Sequence, residues 1–437
     1  MMRDTIDSWI HDHATSFSID SSDESSEALN AAIDRIMASF DPSVDLLGFG
    51  EALHGGEDIL MLRNRLFQRL VQTHGFSAIA MENSFPRGRI MNDYVAGRGP
   101  ESYEDVQDAG FSHGFGRLES NRELVEWMRS YNADDSHDIK LRFYGFDIPV
   151  LTATIASPAQ VLHFVLDYLA SIDYPGVQER RQRMDSLIGP DYNWENQAAL
   201  ADPAKAVGLS PAATALRMET EDLIIQLRTR RPELVANSDQ ERYLEALQYA
   251  RVARELLNFH AEVARKPDYG TLMGIRDALM ADNLAYIVGR ERGRGRGKVM
   301  AFAHNSHLQR GKAALPWYTW WPAGSQLNET FGPRYGIIGS AVGVSDENGI
   351  GRPEQGTLEA RLIARPGPAR FIPTHRGQRI LAHEIAALPT RSGSTKNQSY
   401  VALTPQSFTD FDWLVVLDST AYSRGAPPLP QQDAGTR

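Results

Sequence analysis

The stretch VDLLGFGEALHGG, residues 44–56, decides the fold of this chain. It opens as a short apolar run between turn residues, which predicts a buried β-strand that stops at Gly50. A carboxylate (Glu51), an imidazole (His54) and two glycines follow, and then a helix is predicted. Because ligands in open α/β sheets bind at the carboxyl ends of strands, this pattern predicts a functional site where the strand ends.

Three other predicted strands also end in polar residues. They are residues 76–81, followed by Glu82; residues 141–146, followed by Asp147; and residues 299–303, followed by His304 and His307. The carboxyl ends of parallel neighbouring strands meet at one edge of a sheet. We therefore expect these acids and imidazoles to converge with Glu51 and His54 in one site.

The order of the elements predicts the fold class. Strand and helix patterns alternate over residues 1–150 and resume after residue 290, which predicts a mixed α/β fold with a largely parallel central sheet flanked by helices. Residues 151–289 carry long helical patterns, which predict a helical insertion that frames the active-site cleft. The α/β core is then 1–150 and 290–425, and the Pro- and Gln-rich tail, 426–437, is predicted to be disordered.

The composition excludes several classes of protein. The 437 residues carry a net charge of −11, which argues against a nucleic-acid partner, because such proteins need a basic field. The Gly- and Arg-rich stretch 289–298 is accordingly interpreted as a solvated loop rather than an RNA-binding tract. No apolar stretch is long enough to span a bilayer and no signal peptide is visible, which predicts a cytoplasmic protein without a membrane partner.

Several catalytic classes lack their signatures. The absence of cysteine excludes disulfides, a thiol nucleophile and thiolate metal sites. The chain has no Gly-x-Ser-x-Gly elbow, no P-loop and no Gly-x-Gly-x-x-Gly after a strand. His383-Glu384 begins like a zinc-protease helix, but Ala387 stands where the second histidine belongs. His11 and His13 are interpreted as solvated rather than as metal ligands.

The remaining polar residues are sufficient for ester hydrolysis. A carboxylate beside an imidazole fixes its tautomer and raises its basicity, so Glu51 and His54 form a candidate general base for water. Arg63 falls in the apolar stripe of the predicted helix 57–73, where a charge needs a partner. An arginine or a second histidine can stabilise an oxyanion. His113 lies in a predicted glycine-rich surface loop.

Structural roles compete with catalytic ones at several of these positions. Glu51 and Glu82 would also serve as caps, Arg63 as a structural partner of either glutamate, and Asp147 as a structural acid. His304 and His307 would also suit half of a metal site.

The motifs together resemble the erythromycin esterase family. The matches follow the family's order over roughly residues 40–345 and comprise GEALHG (50–55), LR (62–63), AME (80–82), NDYV (92–95), WMRSYN (127–132), FYGFD (143–147), RDALMADN (276–283) and AHNSH (303–307). The resemblance implies a mixed α/β fold whose helices frame a cleft and an enzyme that opens macrolide lactones with activated water, without a required metal or other cofactor. The residue before the histidine is often threonine in this family and is Leu53 here.

The resemblance implies roles for individual residues. His54 is predicted to be the general base, with Glu51, Glu82, Arg63 and His304 completing the catalytic set, and His307, Asp147 and His113 binding substrate. The predicted partner is a small-molecule ester or lactone, and the sequence predicts no oligomeric state. A biosynthetic transesterase or cyclase using the same site, a non-catalytic binding protein and a metal-dependent hydrolase are the alternatives.

Overall fold

Ten β-strands form the framework of the protein. The computed structural model describes residues 5–20, 22–151, 154–315, 317–365, 367–374 and 378–429. The strands in these ranges are β1 (Thr15–Phe17), β2 (Leu46–Glu51), β3 (Phe76–Ser84), β4 (Arg142–Asp147), β5 (Lys298–His304), β6 (Ala313–Leu315), β7 (Tyr318–Trp320), β8 (Tyr335–Val344), β9 (Ala369–Pro373) and β10 (Trp413–Ser419).

Eight of these strands form one sheet in the order β1-β9-β10-β8-β2-β5-β3-β4. The six strands from β10 to β4 run parallel to one another, whereas β9 is antiparallel to both of its neighbours. Strands β6 and β7 form a separate antiparallel hairpin. The carboxyl ends of β2, β5, β3 and β4 therefore lie side by side, as the terminal polar residues of the sequence predict.

Helices cover both faces of the sheet. They are α1 (Ile6–His13), α2 (Asp23–Ser39), α3 (Glu57–His74), α4 (Phe85–Val95), α5 (Gln107–Gly110), α6 (Glu119–Ala133), α7 (Ala159–Ala170), α8 (Val177–Ile188), α9 (Pro211–Thr229), α10 (Arg231–Asn237), α11 (Gln240–Ala264), α12 (Tyr269–Gly293), α13 (Asn305–Leu308), α14 (Ala323–Phe331), α15 (Leu358–Leu362), α16 (Gln378–Ala386) and α17 (Ser407–Asp410).

Alternate residues of each strand pack into different hydrophobic cores. In β5, Met300 and Phe302 join the core beneath α2, α3 and α6, whereas Val299, Ala301 and Ala303 join the core beneath α12 and α14. This alternation is the two-residue period of a strand covered on both faces. A third core lies among α7 to α11.

The mixed α/β fold with a mostly parallel central sheet is confirmed, and the differences concern its borders. Residues 1–41 are predicted to be helical, but residues 15–17 form β1 at the sheet edge. Helix α12 falls in the predicted insertion yet packs against β4 and β5. Residues 426–429 of the predicted tail have no regular structure, and the rest of it lies outside the described residues. No helix in the described ranges is long and apolar enough to cross a bilayer.

Candidate active site

Strand pairing brings the first acid and the histidines together. Glu51 ends β2 and is the register partner of His304, which ends the adjacent strand β5. On the other side of β5, the pairing of β3 ends with Met81 opposite Phe302, so that Glu82 follows at the same edge. The side chains of Glu51, Glu82 and His304 therefore lie at the same edge of the sheet, and His54 follows Glu51 by three residues.

Glu51 and His54 form a close hydrogen-bonded pair. The Nδ1 of His54 donates to Oε1 of Glu51 across 2.6 Å. The Glu51 side chain is 4% exposed, whereas that of His54 is 31% exposed. Burial raises the pKa of Glu51. Burial lowers the pKa of His54, but the carboxylates of Glu51 and Glu82 together outweigh it and raise that pKa. Nε2 of His54 makes no hydrogen bond to any described residue, so it is available to a water molecule.

His304 is held as a neutral imidazole. Its Nε2 donates to the backbone carbonyl of Ser399 at 2.9 Å, and its Nδ1 accepts from the hydroxyl of Ser306 at 2.7 Å. Burial and the nearby His54 lower the pKa of His304 to about 3. Both ring nitrogens are thus occupied by fixed partners, and the ring stands 5.4 Å from that of His54, centroid to centroid.

Glu82 is the centre of a charged network that includes an arginine from α12. One oxygen of Glu82 accepts from the backbone N–H of His304 at 2.9 Å, and the other accepts from the Arg276 guanidinium at 2.8 Å. Arg276 also donates two hydrogen bonds, of 2.8 and 2.6 Å, to the carboxylate of Asp147, which is fully buried. Burial raises the pKa of Glu82, but His307, His54 and Arg276 outweigh it and hold that pKa well below its usual value.

His307 is held as an imidazolium by two acids. Its Nδ1 lies 2.9 and 3.0 Å from the two carboxylate oxygens of Asp277, and its Nε2 lies 3.3 Å from Glu82. Burial lowers the pKa of His307, but Asp277 and Glu82 outweigh it and raise the pKa to about 10. Asp277 is itself fixed by the indole N–H of Trp320 and the backbone N–H of Ala323. The site therefore holds one basic, one neutral and one cationic histidine.

His113 approaches the network from the loop before α6. Its Nε2 lies 3.8 Å from Asp147, its Nδ1 bonds to the Ser112 hydroxyl at 2.9 Å, and its ring stacks on Phe115. Its φ of 60° is in the left-handed region, which few residues other than glycine adopt. Burial lowers the pKa of His113 to about 4.

Arg63 lines a small cavity together with Glu51 and Glu82. The side chain is fully buried, and its three guanidinium nitrogens donate to Asn64, to Asn121 and to the carbonyl of Ser120. Burial lowers the pKa of Arg63 to about 10, and the guanidinium lies over the ring of Phe302. No carboxylate lies within salt-bridge distance of it in the described chain. The buried arginine thus finds amide and carbonyl partners instead of the predicted glutamate.

Two residues of the network were not among the predicted site residues. Arg276 and Asp277 are adjacent on α12 but bind different residues. Arg276 donates a hydrogen bond to Glu82, and Asp277 accepts one from His307. Their only sequence signal is the RDALMADN stretch, which matches a family motif but follows no strand. Of the predicted residues, Glu51, His54, Glu82, Asp147, His304, His307 and His113 converge here. Among the described residues, no group of three or more acids and histidines has a geometry that would hold a metal ion.

Comparison with known proteins gives a consistent result. A family model described as Erythromycin esterase matches residues 71–420. An erythromycin esterase type II from Escherichia coli is 23% identical over 303 residues, which cover 67% of this chain and 68% of that protein.

Solved structures share the fold at low sequence identity. A Bacillus cereus protein of 18% identity superposes with a TM-score of 0.75, covering 97% of this chain and 98% of the other. A succinoglycan biosynthesis protein of 19% identity gives a TM-score of 0.70 and covers 96% and 98% of the two chains. A histidine-to-asparagine mutant of the erythromycin esterase EreC, in its open conformation, gives 0.66 at 18% identity and covers 94% and 98%.

Proposed function

Because this chain belongs to the erythromycin esterase family, we propose that it hydrolyses a carboxylic ester or lactone with water activated by His54. The family membership rests on a match over most of the chain and supports an esterase. The observation that carries the mechanism is the 2.6 Å Glu51–His54 pair, whose Nε2 has no partner among the described residues. A neutral imidazole oriented in this way accepts a proton from water.

The first step is attack on the carbonyl carbon. Nε2 of His54 takes a proton from water while the water oxygen bonds to the carbonyl carbon, and the carbonyl π electrons move to oxygen. Glu51 stabilises the imidazolium that forms, because its carboxylate carries a negative charge and accepts a hydrogen bond from the N–H at Nδ1. The guanidinium of Arg276 and the imidazolium of His307 are the cations that would stabilise the oxyanion.

The second step expels the alcohol. The tetrahedral intermediate collapses, the bond between the carbonyl carbon and the ester oxygen breaks, and the leaving alkoxide takes a proton. His54 would return the proton that it took from water, which restores the base. A lactone gives one product, a hydroxy acid, whereas an open ester gives a carboxylic acid and an alcohol.

The remaining residues are assigned supporting roles. Glu82 and Asp147 hold Arg276 in place. His304 would have a structural role, as a neutral ring bound to the carbonyl of Ser399. His113 would contact substrate through its partly exposed ring, and the buried His307 would contribute to substrate binding through its charge. Arg63, whose guanidinium is bonded to amide and carbonyl partners, would favour the carboxylate form of Glu51 through its charge instead of binding the oxyanion. We further propose that the reaction needs no metal and that the substrate resembles a macrolide lactone.

The test is hydrolysis of a panel of macrolides, simpler lactones and open esters, measured by mass spectrometry. Because general base catalysis contributes about 10²- to 10⁴-fold, His54→Gln should lower kcat by that factor on every substrate that is opened. His163→Gln, at a partly exposed histidine on α7, is the matched control and should leave kcat unchanged. Turnover by His54→Gln within about threefold of the unaltered protein would contradict the mechanism.

The same assay distinguishes the alternative of a transesterase or cyclase. Hydrolysis adds the mass of one water to the substrate, whereas transfer to an alcohol or ring closure does not. Activity retained after treatment with a chelator supports a metal-independent reaction, and activity lost on chelation and restored by a divalent ion contradicts it.

A further inference from the structure

His54 lies on a segment without regular structure. Residues 52–56 connect the end of β2 to the start of α3, and Gly55 in this segment has a φ of 76°. Neither a strand ladder nor a helix therefore fixes the backbone of His54. Its hydrogen bonds come instead from a distant segment, residues 394–401, which we name the strap.

The strap binds the His54 segment at three backbone atoms. The N–H of His54 donates to the hydroxyl of Ser399 at 2.9 Å, and the carbonyl of His54 accepts from the side-chain amide of Asn397 at 2.9 Å. Two residues closer to β2, the N–H of Val401 donates to the carbonyl of Ala52. The strap thus secures His54 on both sides of its Cα.

The strap also fixes the second histidine. The carbonyl of Ser399 accepts the Nε2 proton of His304, which selects the neutral tautomer with Nδ1 unprotonated. One residue, Ser399, therefore contacts His54 through its hydroxyl and His304 through its backbone. The distance between the two rings depends on its position.

The strap is itself well anchored. The amide oxygen of Asn397 accepts from the Ser399 hydroxyl at 2.6 Å, and its amide nitrogen also donates to the buried Asn348 at 2.8 Å. Before the strap, the buried Arg391 donates to the carbonyl of Val342 in β8. The strap therefore links the backbone of His54 to the sheet.

We propose that Asn397 and Ser399 are positioning residues that hold His54 against Glu51 and set the tautomer of His304. This inference rests on the proposed function, in which His54 is the base. Asn397 and Ser399 themselves carry no charge. Their effect is to keep the Nδ1 of His54 on the Glu51 carboxylate and its Nε2 directed at the position of the attacking water.

Loss of the strap contacts would change the environment of His54 in a defined direction. The titratable and charged groups around its ring are Glu51, Glu82, His113, His304 and His307, and the charge of Arg63 acts on Glu51. The closest favourable partner is Glu51. If the backbone of His54 shifts, its bond to Glu51 lengthens, and the pKa of His54 falls toward the ordinary histidine value.

The experiment compares Ser399→Ala and Asn397→Ala with Gln398→Ala, an exposed residue between them, as the matched control. Two-bond ¹H–¹⁵N spectra of histidine-labelled protein report the pKa of His54 and the tautomer of His304 without any substrate. Both test variants should lower the pKa of His54, and Asn397→Ala should give a mixture of His304 tautomers. Ser399→Thr keeps the hydroxyl and should restore the unaltered spectrum.

Kinetics on an ester that the protein opens gives the second measurement. Because a displacement of about 1 Å costs about 10²-fold, kcat should fall by up to that factor in both test variants, while KM changes by less than about twofold. Thermal unfolding verifies that each variant is folded. If Asn397→Ala does not fold, Ser399→Ala, at a partly exposed position, tests the positioning role alone.

The possible outcomes separate the two hypotheses. Histidine spectra of both test variants identical to those of Gln398→Ala would overturn the positioning role, whatever the protein hydrolyses. Conversely, an altered His54 pKa in a protein that opens no ester would support the positioning role and contradict the proposed function.

Discussion

At the scale of single residues, three histidines within one site are kept in three different states by their partners. His54 faces a carboxylate and is basic, His304 meets a backbone carbonyl and is neutral, and His307 lies between two acids and is cationic. Environments that push pKa values apart are how one site supplies both a base and an acid at one pH. In the proposed reaction, the partners of the histidines therefore determine the pH dependence.

Glu51→Gln should shift the acidic limb of the pH profile. The proposed base, His54, must be neutral to accept a proton, so kcat/KM should fall as the pH drops below the pKa of His54. Glu51 raises this pKa, and its replacement by an uncharged amide should move the limb to lower pH while lowering kcat by about 10²-fold or more. The measurement is kcat/KM against pH. Glu291→Gln, at a buried glutamate near the other end of α12, should leave the limb in place, and an unshifted limb in Glu51→Gln would contradict the pairing.

Asp277→Asn should move the alkaline limb in the same direction for a different reason. Asp277 and Glu82 outweigh burial and raise the pKa of His307 to about 10, so the cation persists across the neutral range. Without the Asp277 charge the pKa falls, and His307 loses its proton at lower pH. Activity should then decline at a pH below that of the unaltered protein, as a pH–rate profile would reveal. Asp282→Asn, at an exposed position on the same helix, should not move the limb.

At the scale of elements, strand ends could be predicted from the sequence, whereas the contribution of α12 could not. Glu51, Glu82 and Asp147 each follow an apolar run, and parallel pairing alone brings them together. Arg276 and Asp277 lie in a helix whose periodicity does not reveal which face meets the sheet. Ser399 and Asn397 lie in an irregular segment, where neither a hydrophobic period nor a sequence motif indicates which residues reach the site. A strand of three residues, such as β1, is also too short to show an alternating hydrophobic pattern.

The close packing of α4 on β4 gives a prediction for stability. A Cβ on Gly88 would lie 2.0 Å from the backbone nitrogen of Gly145, and the backbone cannot move aside as a side chain can. Gly88→Ala should therefore destabilise the protein by about 1–3 kcal/mol or more. Gly274→Ala is the control, because it also lies within a helix but has open space around its Cα, and it should stabilise by about 0.5–1 kcal/mol. Chemical unfolding measures both, and equal stability of the two variants would contradict the packing argument.

At the scale of the whole molecule, the first described residues close the edge of the sheet opposite to β4. Strand β1 pairs with β9, the ring of Phe17 stacks on Phe371, and Trp9 in α1 donates to the carbonyl of Pro373. Without them, β9 would present unpaired N–H and C=O groups to solvent. Exposed edges of this kind pair with other chains.

Deletion of residues 1–20 should therefore cause self-association that increases with protein concentration, as measured by light scattering after size-exclusion chromatography. Three inter-strand steps, about 14 Å, separate β9 from β2, so the site should survive in the molecules that remain folded and their kcat should be unchanged. A synthetic peptide of residues 5–20 should reverse the association, because it would occupy the vacant edge, whereas a scrambled peptide should not. A truncated protein with the mass distribution of the full chain at every concentration would contradict this role for the N-terminal segment.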